Sequence, residues 1–316
     1  MRAPQEFHYR LPTRVRGHRP GSHPGLTIGA GQEFVSHVSL YERADPRRLD
    51  LRASLRSLRQ EWLVRVNRQR AGVAVHAVVD VSASMCFGAG SKRQMVGEFL
   101  ESLGLSAFRA GDLLGMLAFD TRERAELFLP PRIGRGIGSL LRERLEQFWD
   151  GDGGAAAHGG AGAQDDSHGG GHSAVRAARR AAATHGATQG LEQAAMRLAG
   201  RDGLVFIVSD FHWPLERLSA ALDLLAHSTV IPLVVWDRAE IQPPASDGFA
   251  LLRDSESGVP RTLWLRRSLR ARWHEAVARR RAELEHLFAT HFVRPLYLEG
   301  AFDAEVLSKY FLEGLQ

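Results

Sequence analysis

The sequence predicts an α/β fold: a doubly wound, mostly parallel central sheet flanked by helices, with an N-terminal extension. Three observations carry this expectation. Val73–Val79, Leu204–Val208 and Val230–Trp236 are nearly unbroken apolar runs rich in β-branched residues, as expected of strands buried on both faces. Segments of helical periodicity separate them, and strands alternating with helices read as βαβ units. The first two runs lead directly into Asp80 and Ser209-Asp210, at the carboxyl edge where ligands collect in such sheets.

In chain order, residues 1–32 are rich in Pro, Gly, His and Arg without sustained period and read as an irregular arm. Asp45-Pro46 starts a short helix through Arg59, with Leu49, Leu51, Leu55 and Leu58 forming its apolar stripe. Glu61–Arg68 alternates Trp62, Val64 and Val66 with more polar positions, as a half-buried edge strand does. Ala71-Gly72 turns the chain into the first buried strand. A helix from Ser91 to about Arg109, a strand Leu113–Phe119, a strand Ala125–Leu129 and a helix Gly138–Trp149 follow. Gly151–Gly171 contains almost no large apolar residue and reads as a flexible insertion. Beyond it come helices at Ser173–Thr184 and Gly190–Leu198, the second buried strand, a helix Pro214–Ala226 and the third buried strand. A hairpin (Phe249–Leu252, Thr262–Leu265), a long charged helix Leu269–Ala289, a strand Arg294–Leu298 and a helix Asp303–Leu312 complete the pattern. The expected organisation is thus residues 1–70 as basic arm, short helix and edge strand. Residues 71–316 form the main domain, with the Gly-rich insertion at 151–171.

Composition narrows the function. Hydrophobic residues make up 44% and charged residues 24% of the 316, as in an ordinary globular protein. No apolar stretch approaches the roughly 18 residues of a membrane span, and the N-terminus has no apolar signal core. The single cysteine, Cys86, excludes an internal disulfide and fits a reducing compartment, so the cytoplasm is expected. The net charge is +5, and all 41 basic residues except Lys92 and Lys309 are arginines. The excess sits in residues 1–70, with fourteen arginines against six acids. Net charge specifies function weakly, so this reads as a solvated arginine-rich surface and nucleic-acid binding is not expected.

The chemistry converges on the strand ends. In a parallel sheet Asp80, Ser82, Ser84 and Asp210 share one edge. Hard oxygen donors at alternate loop positions, with only two carboxylates, suit Mg2+. Mn2+ accepts a similar set, and Ca2+ is a further alternative although it normally takes more carboxylates. Such an ion keeps residual positive charge, which an acidic side chain of a partner can complete. The histidines and acids of the insertion (His158, His168, His172, Asp165, Asp166) match no compact zinc spacing.

Enzyme motifs are missing or incomplete. Gly88-Ala89-Gly90-Ser91-Lys92 fails the phosphate-loop spacing, and Gly134-Arg135-Gly136-Ile137-Gly138 lacks the dinucleotide spacing. No Gly-x-Ser-x-Gly elbow occurs. A phosphotransferase with Asp80 as nucleophile would want an acid two residues on, where Ser82 stands. His212 is the nearest candidate base for the alternative, a metal-dependent phosphoester hydrolase. Mid-strand His76 reads as a core residue, and Arg279-Arg280-Arg281 as a solvated helix face.

The pattern Asp-x-Ser-x-Ser after the first core strand, Thr in a middle loop and Asp after a later strand resembles the metal-ion-dependent adhesion site of von Willebrand factor A domains. It falls here on Asp80, Ser82, Ser84, Thr188 and Asp210. The resemblance implies the Rossmann-like fold of that family, hydroxyls of both serines on the metal, and Thr188 and Asp210 acting directly or through water. Tyr41–Asp50, Arg52-Ala53-Ser54, Arg109-Ala110-Gly111-Asp112, Phe119, Ser209-Asp210-Phe211 and Leu252–Gly258 look like one bacterial branch, the domain-of-unknown-function family fifty-eight. Its members often accompany MoxR-type AAA+ ATPases. The chain departs from that pattern at Ala44-Asp45 (often Gly-Asp), at Asp50-Leu51 (often Asp-Trp) and in its Gly-rich insertion. Many members carry N-terminal membrane helices, which this sequence does not show. The resemblance therefore implies a non-enzymatic, metal-dependent interaction module without a membrane span, an adaptor for a MoxR-type ATPase or its client.

Overall fold

A computed structural model describes residues 4–17, 19–29, 31–87, 91–151, 188–245, 247–253 and 260–314. The insertion at 151–171 beyond its first residue, with its histidines and acids, the expected helix Ser173–Thr184, and most of the Leu252–Gly258 motif lie outside them.

The expected α/β architecture is present. Six strands form the central sheet: β4 (Ala74–Asp80), β5 (Leu113–Phe119), β6 (Leu129–Arg132), β7 (Gly203–Ser209), β8 (Ser228–Trp236) and β11 (Leu296–Glu299), while β9 (Gly248–Arg253) and β10 (Pro260–Leu265) pair separately as the expected antiparallel hairpin. Their order is β11-β8-β7-β4-β5-β6, parallel throughout except for antiparallel β6 at one edge. β4 and β7 are the innermost strands, and sequence neighbours β4 and β5 lie side by side while β7 joins from the other side. That reversal of winding direction is the switch point at which open α/β sheets bind ligands. The expected strand at Ala125–Leu129 is instead a 3-10 turn, Ala125–Leu127, followed by β6. Pro130 and Pro131 account for this, since they lack N–H groups and confine such a strand to an edge.

Strand alternation divides the interior into two layers. Val75, Ala77 and Val79 of β4 face one core with Phe99, Leu100 and Leu103 of α2 (Ser91–Ala110) and Leu141 and Leu145 of α3 (Ile137–Asp150). Val78 faces the other, with Leu191 and Leu198 of α4 (188–198), Leu218 and Leu222 of α5 (Leu218–Leu224), and Leu284 and Phe288 of α7 (Arg267–Thr290). The short α6 (Arg238–Ile241) follows β8, and α8 (Ala304–Glu313) closes the chain against the first core. No helix among the described residues is long and apolar enough to cross a membrane.

The N-terminal region corrects the sequence reading. β1 (Pro20–Gly29), β2 (Glu33–Ser39) and β3 (Leu63–Ala71) form an antiparallel sheet in the order β1-β3-β2, with the one-turn α1 (Leu51–Leu55) beside it. The expected edge strand is therefore the central one. Gly and Pro hid β1, yet its glycines permit the pairing: a Cβ on Gly25 would lie 2.5 Å from the Gln69 carbonyl oxygen. Nor is the arm irregular surface throughout. Phe7, Tyr9, Leu11 and Val15 are buried in the first core, and the Phe7 ring lies 6.5 Å from Phe99 and 6.4 Å from Phe206. The period-two spacing of Phe7, Tyr9 and Leu11 was the overlooked signal.

Candidate metal centre

Asp80 ends β4, and Asp210 follows β7 by one residue, so the register Val79 to Val208 sets the two carboxylates side by side. Both residues are wholly buried. An isolated buried carboxylate is costly unless paired and hydrogen-bonded, and each has a dedicated set of donors. Asp80 Oδ2 accepts from Ser209 Oγ at 2.6 Å and from Trp213 Nε1 at 3.0 Å, while Oδ1 accepts from the Ser82 backbone N–H at 2.9 Å. Asp210 Oδ1 accepts from the His212 backbone N–H at 3.1 Å. Its Oδ2 accepts from Lys92 Nζ at 2.8 Å.

The serines lie between. After β4 the chain enters a 3-10 turn, Ala83–Cys86, with Ser82 as its N-cap. This tight turn aims alternate hydroxyls the same way, with Ser82 Oγ 3.1 Å from Ser84 Oγ. Lys92 Nζ joins the Ser84 carbonyl oxygen, at 3.3 Å, to Asp210. Four of the five sequence-chosen residues, Asp80, Ser82, Ser84 and Asp210, thus form one connected group through that ammonium. Thr188 is buried, as the first described residue of α4. Gly190, two residues on, sets that end of the helix against the loop after β5: a Cβ there would lie 2.3 Å from the Asp120 carbonyl oxygen.

Several residues of the site escaped the sequence reading. Lys92, the second residue of α2, is completely buried and also bonds Glu240 Oε1 at 2.6 Å. Glu240 closes the capping box of α6 with Asp237, and Ser91 Oγ bonds Asp237. His212 Nε2 lies 3.6 Å from Glu240 Oε1, and its ring stacks on Trp236 at 6.0 Å and 6°. Arg280 donates to the carbonyl oxygens of Phe211 and Trp213. That corrects the solvated-face reading for Arg280 and Arg281, while Arg279 is exposed as expected. Arg280 crosses from α7 to clamp the loop after β7, and Arg281 lies over the rings of Trp236 and Tyr297. Phe211 in that loop has φ +51°, a conformation costly for an aromatic residue and one held only by its surroundings. One signal could have singled out Lys92, as one of only two lysines in an arginine-rich chain.

The electrostatics follow from this crowding. Burial, then the charge of Asp210, pushes the Asp80 carboxyl up to about 6, against the hydrogen bonds of Ser209 and Ser82. For Asp210 burial acts upward too, but Lys92 and His212 outweigh it and hold the carboxyl below the ordinary range. Burial disfavours the charged forms of Lys92 and His212, yet the surrounding carboxylates hold both above their ordinary values. Burial raises the Cys86 thiol, so this cysteine beside the loop is not an activated thiolate.

The donor set fits a divalent cation. Its oxygens are hard, and neighbouring ligands of an octahedral Mg2+ site stand about 3 Å apart, close to the separation of the two serine hydroxyls. Asp210 and Glu240 bond the Lys92 ammonium, whereas buried Asp80 is held by the neutral donors Ser209, Trp213 and the Ser82 N–H, a carboxylate whose charge an ion could balance. Asp210, His212 and Glu240 alone place three ligand atoms within 4.8 Å of one another.

Comparison with known proteins gives a family and distant folds. Residues 41–283 match the family described as "Protein of unknown function DUF58". No curated protein matches the sequence. Among solved structures, the conserved hypothetical protein BatB from Bacteroides thetaiotaomicron is 14% identical, covering 77% of this chain and 98% of its own, with TM-score 0.40. An aerotolerance-related membrane protein from Bacteroides fragilis gives the same values. A von Willebrand factor type A protein from Catenulispora acidiphila is 10% identical, covering 79% of this chain and 43% of its own, with TM-score 0.32.

Proposed function

The chain belongs to the DUF58 family, which it matches over residues 41–283, and on that premise we propose that it is a metal-dependent protein-interaction module. In this reading Ser82, Ser84 and Asp210 hold Mg2+, or Mn2+ in its place, with Asp80 and Thr188 completing the site. The bound ion supplies a Lewis-acidic position for an acidic side chain of a partner. The observation that supports it most directly is the pairing of two wholly buried carboxylates across the switch point, with two serine hydroxyls 3.1 Å apart beside them.

The chain's own residues prepare such a site. Ser209 and Trp213 occupy Asp80 Oδ2, so that carboxylate is oriented by its neighbours. The 3-10 turn fixes the serines, and Arg280 holds the Asp210 loop. A non-enzymatic role is preferred over phosphoester hydrolysis because Ser82 stands where a phosphotransferase with Asp80 as nucleophile would carry its second acid. The partner we propose is a MoxR-type AAA+ ATPase or its client protein, with this chain as adaptor in the assembly of a complex. That part rests on the branch resemblance in Tyr41–Asp50 and Ser209-Asp210-Phe211.

The test is affinity capture from native lysate with the tagged chain in Mg2+, with chelator, and as Asp80→Ala and Ser84→Ala. Recovery of an AAA+ ATPase or its client only with metal and an intact site is the expected result. Equal recovery in every arm overturns the metal-bridged mechanism.

A further inference from the structure

Lys92 stands out because it puts a positive charge where a cation is expected to bind. Its side chain is completely buried, and a lysine in that position is costly unless its charge and all three donors are satisfied. They are: Nζ lies 2.8 Å from Asp210 Oδ2, 2.6 Å from Glu240 Oε1 and 3.3 Å from the Ser84 carbonyl oxygen. The Phe87 ring, 5.7 Å away, closes another side. Asp210 and Glu240, which with His212 are spaced as metal ligands are, therefore already bond a cation, one attached to α2.

We propose that Lys92 is a built-in counter-cation of the site, competing with the divalent ion for Asp210 and so setting the affinity for metal. The proposal rests on the metal-binding reading above. Asp210 is the shared element, a loop residue of the proposed metal site that bonds the ammonium through Oδ2 and the His212 backbone N–H through Oδ1. An ion drawing on Asp210 meets the ammonium on the same group, and like charges at such separations repel strongly in a poorly solvated interior. Glu240 makes the competition reversible. It bonds the same Nζ and is itself held by the Asp237 backbone N–H at 3.0 Å, so Lys92 keeps a partner when the ion takes up Asp210. Before the ion arrives, the ammonium stops the buried carboxylates from repelling each other and holds Asp210, the Ser84 carbonyl and α6 in place. The device yields a preformed site of restrained affinity, suited to an ion bound firmly only when a partner's acid completes its shell.

Isothermal titration of the full-length chain with MnCl2 tests this on wild type, Lys92→Met, Glu240→Gln and the double variant. Lys92→Met is expected to bind Mn2+ roughly tenfold or more tighter, because a repelling charge beside the ion is gone. Glu240→Gln is expected to bind more weakly, since it removes an anion and leaves Lys92 committed to Asp210. The double variant carries the wild-type net charge, so affinity above wild type reports loss of the competitor rather than a change in overall field. Thermal melting gives a second readout: Mn2+ raises the Tm of Lys92→Met more than that of wild type, because its abandoned carboxylates depend on the ion. If Lys92→Met does not fold, the double variant decides by the same comparison with wild type. Mn2+ binding by wild type with no gain in either folded variant overturns this proposal and leaves the metal site standing. No binding by any variant overturns both.

Discussion

Replacing Arg280 by Met tests whether the loop carrying Asp210 is held by its clamp. The guanidinium donates from Nε at 3.0 Å and from a terminal nitrogen at 2.5 Å to the Phe211 carbonyl, and the same nitrogen reaches the Trp213 carbonyl. Both residues are essentially inaccessible, at 0% and 3% exposure. Met retains most of the apolar stem of Arg, so the loss is chiefly polar. Leaving a buried acceptor without its donor costs about 1–3 kcal/mol. The Arg280 side chain is 22% exposed, and its ion pair with Glu283 spans one turn at the surface, worth little by itself. Two carbonyls at the lower half of that range come to ~2–4 kcal/mol. At roughly 2–4 °C per kcal/mol for a domain of this size, Tm should fall by about 5–15 °C. Phe211, at φ +51°, would be freer to leave its strained conformation, so Mn2+ affinity should fall although Arg280 touches no proposed ligand. Urea unfolding and Mn2+ titration of Arg280→Met and Arg280→Lys measure both effects, with Lys expected to recover only part of the loss. A stability change under about 1 kcal/mol, with unchanged Mn2+ affinity, would refute the clamp, because it would mean water serves these carbonyls equally well.

Two further predictions follow from the burial pattern. Burial, and next to it the charge of Arg201, lowers the His76 pKa from 6.5 to about 4. The folded state therefore binds fewer protons than the unfolded state between these values, and His76 costs no stability above pH 6.5 but up to ~3 kcal/mol by pH 4. Urea midpoints of His76→Leu at pH 7 and pH 5 should show a smaller fall than those of wild type, and an identical fall would exclude His76 as the cause. Phe7→Ala should destabilise the whole protein by ~3–5 kcal/mol, as an aromatic truncation in a core does. Loss of the N-terminal segment to protease before global unfolding would contradict this.

The metal-site reading was legible because its residues are local to strand ends. Asp80, Ser82 and Ser84 lie within five positions after a run whose burial is plain from composition, and Asp210 follows another such run. Their convergence needs only that β4 and β7 be parallel neighbours, which α/β winding favours. Lys92, Glu240 and Arg280 were not legible in this way. Lys92 lies 118 positions from Asp210 and 148 from Glu240, and Arg280 lies 69 from Phe211 and 67 from Trp213. Each taken alone is an ordinary charged residue of a helix.

Unbroken apolar runs by themselves determined the layered sheet, because burying a strand on both faces demands an apolar side chain at nearly every position whatever its neighbours are. Only the tertiary structure decided the fate of the N-terminal region. β1 contains two prolines and three glycines, and its strand state arises from pairing with β3, where the missing side chains allow close approach. The same holds for charge. Sequence counts an arginine or lysine as solvated by default, whereas folding surrounds Lys92 with carboxylates and Arg280 with carbonyl oxygens. In a water-poor interior those partners make the charge part of the site's construction.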